Sequence, residues 1–235
     1  MMKPAYWIAG TDTGVGKTVI TGLLAHMFLS AGHPVTVYKP VQTGSPSLDE
    51  AEDPTSIQTW LSEDVLAGRL RCENRYNFLI PATPAVVDTD CVIDPAQILN
   101  DIAGYQYSND MDGSGVLLVE GAGGLRVPIT PNLEQLELIR ESTLPVILVT
   151  RPDLGTINHT LLSVEALQRR QIPVVGVIVS GYQAVDVATE TLPEMFERFL
   201  PVPVLAWVPK LALQCDHPFQ NVLSEPWSAG LRPLL

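Results

Sequence analysis

Basic residues are scarce in this chain: 14 Lys and Arg stand against 26 Asp and Glu over 235 residues, a formal charge of −12 and a pI near 4.6. A nucleic-acid backbone is recognised through a basic footprint, and no basic run or stripe is present, so no nucleic-acid partner is expected. Long apolar runs are also lacking. Stretches such as Pro173 to Val179 fall well short of the ~18 residues a membrane span needs, so no membrane partner is expected. The first residues show no charged segment followed by a long apolar one, which predicts no secretory signal and a cytoplasmic location. Cysteine is limited to Cys72, Cys91 and Cys215. They are odd in number, widely spaced and without a CxxC pair or a nearby His ladder, and each is expected as a reduced, partly buried side chain. There is no internal repeat or low-complexity segment, and the length predicts one α/β domain over 1–235.

What is present begins with Gly10-Thr11-Asp12-Thr13-Gly14-Val15-Gly16-Lys17-Thr18. Tyr6 to Ala9 ahead of it reads as a buried strand. Val19 to Ala31 behind it reads as a helix, with Leu23, Leu24, Met27 and Phe28 at helical spacing. Such a loop aims backbone N–H groups and a helix N-terminus at a polyphosphate, with Lys17 reaching the terminal phosphates and the Thr18 hydroxyl ligating Mg2+. The strict pattern asks for Gly six residues before the Lys, where Thr11 stands, so the motif is a variant. The plainer alternative is a strand-turn-helix connection in which Gly14 and Gly16 only supply positive φ. A turn has no use, however, for Gly-Lys-Thr at the helix entrance.

Further along, Val35 to Tyr38 reads as a second strand ending at Lys39-Pro40-Val41-Gln42-Thr43-Gly44. Lys39 at such a strand end is either a second cation over the phosphates or a solvated lysine. Ser45 to Glu52 reads as an exposed loop. Asp53 with Pro54 opens a helix through Ile57, Trp60 and Leu61, and the local reading of Asp53 is an N-cap. Arg69 to Val87 is irregular, with Pro and aromatic residues suited to a substrate wall. Asp94-Pro95 opens a helix through Ile98, Leu99 and Ile102, and Gly104 to Gly115 reads as an acidic surface loop. Val116 to Val119 reads as a strand covered on both faces and runs into Glu120-Gly121-Ala122-Gly123-Gly124. An acidic residue there suits Mg2+, because a carboxylate capping a buried strand is costly unless a cation faces it.

A helix at about Leu133 to Ser142 and a strand at Pro145 to Thr150 follow. Next comes a helix opened by Arg151-Pro152-Asp153-Leu154-Gly155-Thr156-Ile157-Asn158-His159-Thr160, which Thr156 or Asn158 is placed to cap, leaving N–H groups for a carboxylate. Val174 to Val179, Thr189 to Phe199 and Val204 to Val208 complete the alternation, and the tail from Pro218 carries no readable role. Strands alternating with helices predict a P-loop NTPase-type α/β fold, a doubly wound, mostly parallel sheet flanked by helices. Its carboxyl rim gathers Thr13 to Thr18, Lys39, Glu120 and residues 151–158.

The set GTDTGVGKT, YKPVQTG, VEGAGG and LGTINHT, in this order and over residues 5 to about 210, resembles the dethiobiotin synthetases of the biotin pathway. Related ATPases of cobyrinic acid amidation, CTP synthesis and chromosome partitioning share the loop but not LGTINHT. The resemblance implies Mg2+ as cofactor, ATP as co-substrate and ring closure of 7,8-diaminopelargonate with CO2 through a carbamate and its phosphoric anhydride. It places Thr13, Lys17, Thr18, Lys39 and Glu120 on the family's phosphate, carbamate and magnesium positions, with Thr13, Lys17 and Lys39 the catalytic ones. Gly14, Val15, Gly16 and Val19 fall in the ATP-binding loop, and Asp53 on a magnesium position. Thr43 matches a substrate-contacting hydroxyl. Gly155, Thr156 and Asn158 match a helix start that holds the substrate carboxylate of the neighbouring subunit, which implies a homodimer. Gly14 stands where some members carry Glu. Ser180 stands where members often have Asn at the adenine edge, and a hydroxyl lacks an amide's paired donor and acceptor. The rival readings are a nucleotide-switched, partner-binding ATPase and another small carbamate- or amide-forming ligase.

Overall fold

The computed structural model describes residues 4–107, 115–215 and 218–235. In chain order its elements are β1 (Ala5–Gly10), α1 (Lys17–Ser30), β2 (Val35–Thr43), α2 (Glu52–Trp60), α3 (Ser62–Leu66), β3 (Leu70–Phe78), α4 (Pro84–Val87) and α5 (Pro95–Tyr107). They continue with β4 (Val116–Gly124), β5 (Pro128–Thr130), β6 (Leu133–Glu134), α6 (Gln135–Ser142), β7 (Val146–Thr150), α7 (Thr156–Arg169), β8 (Val174–Ser180), α8 (Val187–Phe199) and β9 (Val204–Val208). Seven strands form one sheet in the order β3-β2-β4-β1-β7-β8-β9, every pair parallel. The doubly wound expectation holds, and β1 is the central strand.

Alternation along the strands feeds two cores, because successive side chains leave opposite faces of a sheet. Val116 and Leu118 of β4 join one core with Ile147 and Val149 of β7, while Leu117 and Val119 join the other with Val146 and Leu148. Helix α1 covers the first face with Ile20, Leu23, Leu24, Met27 and Phe28, and helices α5 to α8 cover the second with Ile98, Leu136, Val164 and Phe196. Burial on both faces explains why these strands read as continuous apolar runs. The Pro-rich tail also has a place: 3-10 turns at Val222–Ser224 and Pro226–Leu234 fold back, and Phe219, Val222 and Leu231 are buried in the α1 core.

Several boundaries differ from the sequence reading. Arg69 to Val87 contains a true edge strand, β3, whose half-exposed Arg71, Glu73 and Asn74 hid its period. β2 does not stop at Tyr38 but continues through Lys39 to Thr43. Its pairing with β4 ends at Tyr38, so Pro40, which has no N–H, sits where that ladder has already opened. Gly104 to Tyr107 is helical, and the rest of the acidic segment, 108–114, lies outside the described residues. Among the described residues no helix is long and apolar enough to cross a membrane.

Candidate active site

The chain leaves β1 at Gly10, turns over residues 11–16 and enters α1 at Lys17. Gly16, with φ 91°, is the N-cap and offers no side chain to the first-turn N–H groups, which leaves them for a ligand. The variant spacing has a steric reason. An ideal Cβ at Gly10 would lie 2.8 Å from the Asp12 carbonyl and 2.9 Å from Lys17 Nζ, so the loop closes over Gly10 rather than over position 11. Lys17 Nζ donates to the Asp12 carbonyl at 3.1 Å and is almost fully buried. Burial, and then the nearby Lys39 charge, bring its pKa down to about 8.

Lys39 is not a solvated strand-end lysine. It is 4% exposed and its ammonium lies 2.6 Å from Asp53 Oδ2 and 2.9 Å from Glu120 Oε1, with a further bond of 3.2 Å to the Gly121 carbonyl. Burial alone would lower its pKa, but Glu120 and Asp53 outweigh burial and raise it. Asp53 is correspondingly held below the usual carboxylate range: burial opposes this, and the Lys39 charge prevails. The N-cap reading of Asp53 is corrected, since Ala51 occupies the cap and Asp53 lies in the first turn of α2 with its carboxylate turned to Lys39.

Thr18 Oγ1 donates to Glu120 Oε1 at 2.9 Å, while Glu120 Oε2 is buried with no partner among the described residues. A buried, unpartnered carboxylate oxygen beside a hydroxyl and a second carboxylate is a donor set suited to a hard cation. Among the described residues no group of three or more His, Cys, Asp or Glu gathers to hold a metal, here or elsewhere. Two carboxylates and a hydroxyl suffice for Mg2+ that is also bound by phosphate oxygens.

These groups line one cavity of about 340 Å3, shared by Thr13, Gly14, Gly16, Lys17, Thr18, Val19, Lys39, Thr43, Asp53 and Glu120. Other residues singled out in the sequence lie elsewhere. The Val15 side chain belongs to the α1 core, and Ser180 lies against Gly16, where a Cβ would meet its Oγ. Gly155, Thr156 and Asn158 open α7 outside the cavity lining. Neither Thr156 nor Asn158 caps that helix: Gly155, with φ 95°, is the N-cap. The Thr156 hydroxyl is turned inward, 2.8 Å from Thr150 Oγ1, and Asn158 is exposed.

The sequence reading missed three supports. Gln135, nearly fully buried, accepts from the Ala122 N–H at 2.6 Å and donates to the Gly124 carbonyl at 3.1 Å, pinning the glycine-rich end of β4. Arg151 approaches Asp12 at 3.6 Å and ties the rim after β7 to the phosphate loop. Gln42 also lines the cavity, and its one sequence signal is an amide set between the apolar Val41 and the hydroxyl of Thr43.

A parallel sheet with a glycine-rich loop at its central strand, a Gly-Lys-Thr helix entrance and an acidic neighbouring strand defines a P-loop nucleotide-binding protein. MinD from Pyrococcus furiosus shares this architecture at 20% identity, with a TM-score of 0.61 over 100% of this chain and 97% of that one. MinD from Pyrococcus horikoshii does so at 20% identity and a TM-score of 0.55, over 97% and 86%. At such identities the likeness is one of fold. A family model described as an AAA domain matches residues 5–216. ATP-dependent dethiobiotin synthetase BioD of Haloferax mediterranei is 38% identical over 92% of this chain and 93% of its own length. The same synthetase of Geobacillus sp. strain WCH70 is 33% identical over 96% and 92%. The chain belongs to the ATP-dependent dethiobiotin synthetase family.

Proposed function

We propose that this chain closes the ureido ring of dethiobiotin from 7,8-diaminopelargonate, CO2 and ATP. The observation that carries the reading is the cluster of Lys17, Lys39, Thr18, Asp53 and Glu120 in one cavity. One amine nitrogen bonds the carbon of CO2 and loses a proton, giving a carbamate. A carbamate oxygen then attacks the γ-phosphorus, and the bond to the ADP oxygen breaks. The second amine attacks the carbonyl carbon, the bond to phosphate breaks, and the amine proton is released. The barrier to the middle step is the approach of two anions, and positioned cations with preorganised amides lower it.

In this reading the amides of Gly14, Val15, Gly16, Lys17, Thr18 and Val19 hold the ATP phosphates, with Thr13, Lys17 and Lys39 beside the transferring group and Ser180 on the nucleoside side. Thr18, Asp53 and Glu120 would hold Mg2+, which would supply positive charge to the β- and γ-phosphates. Thr43 contacts the diamine chain. Gly155, Thr156 and Asn158 receive the substrate carboxylate of a second subunit, so the working unit is a homodimer of single-domain chains in the cytoplasm. The Thr156 hydroxyl is turned inward and its N–H donates to the Asp153 carbonyl at 3.0 Å, which leaves the exposed Asn158 for that task.

The test is ADP release by the purified chain with Mg-ATP and bicarbonate, with and without 7,8-diaminopelargonate. Turnover is expected to require the diamine. It should fall at least a hundredfold in Lys39→Ala, with folding of the variant checked by circular dichroism because two carboxylates lose their partner. Hydrolysis indifferent to the diamine would overturn the reading.

A further inference from the structure

Gln42 occupies the penultimate position of β2 and is 6% exposed, yet it lines the same cavity as Lys17, Lys39 and Thr43. Its Nε2 donates to the Thr43 carbonyl at 3.1 Å, while Oε1 is buried with no hydrogen-bond partner among the described residues. The orientation of the amide follows from chemistry. A carbonyl only accepts, so a flipped amide would set two acceptor oxygens against each other. Oε1 is therefore the free end, and a buried acceptor without a donor is a group that a ligand is expected to satisfy.

The protein's own cations do not supply that donor. Lys39 is taken up by Asp53, Glu120 and the Gly121 carbonyl, and Lys17 by the Asp12 carbonyl. Among the reactants, CO2 and the ionised phosphates carry only acceptors. The nucleotide's N–H and O–H groups belong to its sugar and base, at the opposite end from the γ-phosphate that Lys17 and Lys39 mark. What remains near the reacting atoms are the N–H groups of the diamine.

We infer that Gln42 is a substrate-positioning residue, its Oε1 accepting a hydrogen bond from a nitrogen of 7,8-diaminopelargonate. This rests on the ring-closing reading of the cavity. The bond fixes one N–H, so the nitrogen's lone pair has a set direction, and selects a nitrogen donor at that point of the substrate over an acceptor. No proton is transferred to the amide.

Gln42→Met replaces the amide by an apolar side chain of similar length, and Gln42→Leu serves as a second variant should the first fail to fold. Binding is measured by calorimetry with Mg2+ and a non-hydrolysable ATP analogue. Diamine affinity is expected to fall about tenfold, as loss of one hydrogen bond would give, with nucleotide affinity unchanged. The diamine is then compared with 7-amino- and 8-aminopelargonate. For the monoamine lacking the bonded nitrogen, wild type and variant should bind alike, since the partner of Oε1 is gone from both sides of the comparison. An equal loss for the diamine and both monoamines, a parallel loss of nucleotide binding, or no loss at all would overturn the inference. Failure of the wild-type chain to turn over the diamine would instead overturn the ring-closing reading, on which the inference depends.

Discussion

Lys17 and Lys39 are both buried ammonium groups, but their surroundings push them in opposite directions. Lys39 faces Asp53 and Glu120, whose charges outweigh burial and keep it protonated. Lys17 has a carbonyl for its partner, and burial together with the Lys39 charge brings it down to about 8. Only the protonated form attracts phosphate. Lys17 is therefore charged in the free protein below about pH 8 and loses its proton as pH rises through that value. The expected profile of kcat/KM for ATP is flat below this point and falls toward tenfold per pH unit above it, because that ratio reports the free enzyme's groups. The decline in kcat should begin at higher pH, since bound phosphate favours the ammonium. A kcat/KM profile flat to pH 10 would refute this assignment.

At the level of elements, the phosphate loop and the start of α7 are joined through one buried hydroxyl. Thr150 Oγ1, at the end of β7, lies 3.2 Å from Thr11 Oγ1 and 2.8 Å from Thr156 Oγ1, and accepts from Thr160 Oγ1 at 3.0 Å. Thr150, Thr156 and Thr160 are buried, so their hydroxyls cannot turn to water instead. Thr150→Val keeps the shape and removes the hub, leaving neighbouring hydroxyls without it, and is expected to cost about 1–3 kcal/mol. Urea unfolding reads this directly, with Thr150→Ser losing less. A midpoint for Thr150→Val equal to wild type would show that the network holds nothing in place. The tail acts at the same scale: the Phe219 ring meets Trp60, the last residue of α2, edge-on with centroids 5.8 Å apart, and α2 carries Asp53.

For the whole molecule, the cavity is lined by the loop after β1 with α1, β2, α2 and β4, and the start of α7 lies outside it, so the proposed homodimer would have to bring α7 from a second subunit. Complementation tests this. Asn158→Asp places a carboxylate in the first turn of α7, which suits the helix dipole and so spares the fold, while repelling a substrate carboxylate. Lys39→Ala and Asn158→Asp chains should each be nearly inactive. Exchanged by mild dissociation, half of the dimers would be mixed, each with one intact site, restoring about a quarter of wild-type activity for a symmetric two-site dimer. No recovery in demonstrably mixed dimers would place both residues in the site of a single chain.

The sequence by itself determined the sheet's central strands, the longer flanking helices, the phosphate loop with Lys17 and Thr18, and the candidacy of Glu120. Each of these rests on local pattern: an apolar run covered on both faces, a helical period, or a spacing that only phosphate binding uses. The edge strand β3 was not legible, because a strand with one open side tolerates Arg, Glu and Asn and loses its signature. Only the tertiary structure decided what Lys39, Asp53 and Gln42 lie against. Their partners are distant in sequence, as with Lys39 and Glu120, or the local rule pointed the wrong way, as when an Asp before Pro suggested a cap. For a buried charge or amide the role is set by what lies opposite, and that is a property of the folded sheet rather than of any stretch of chain.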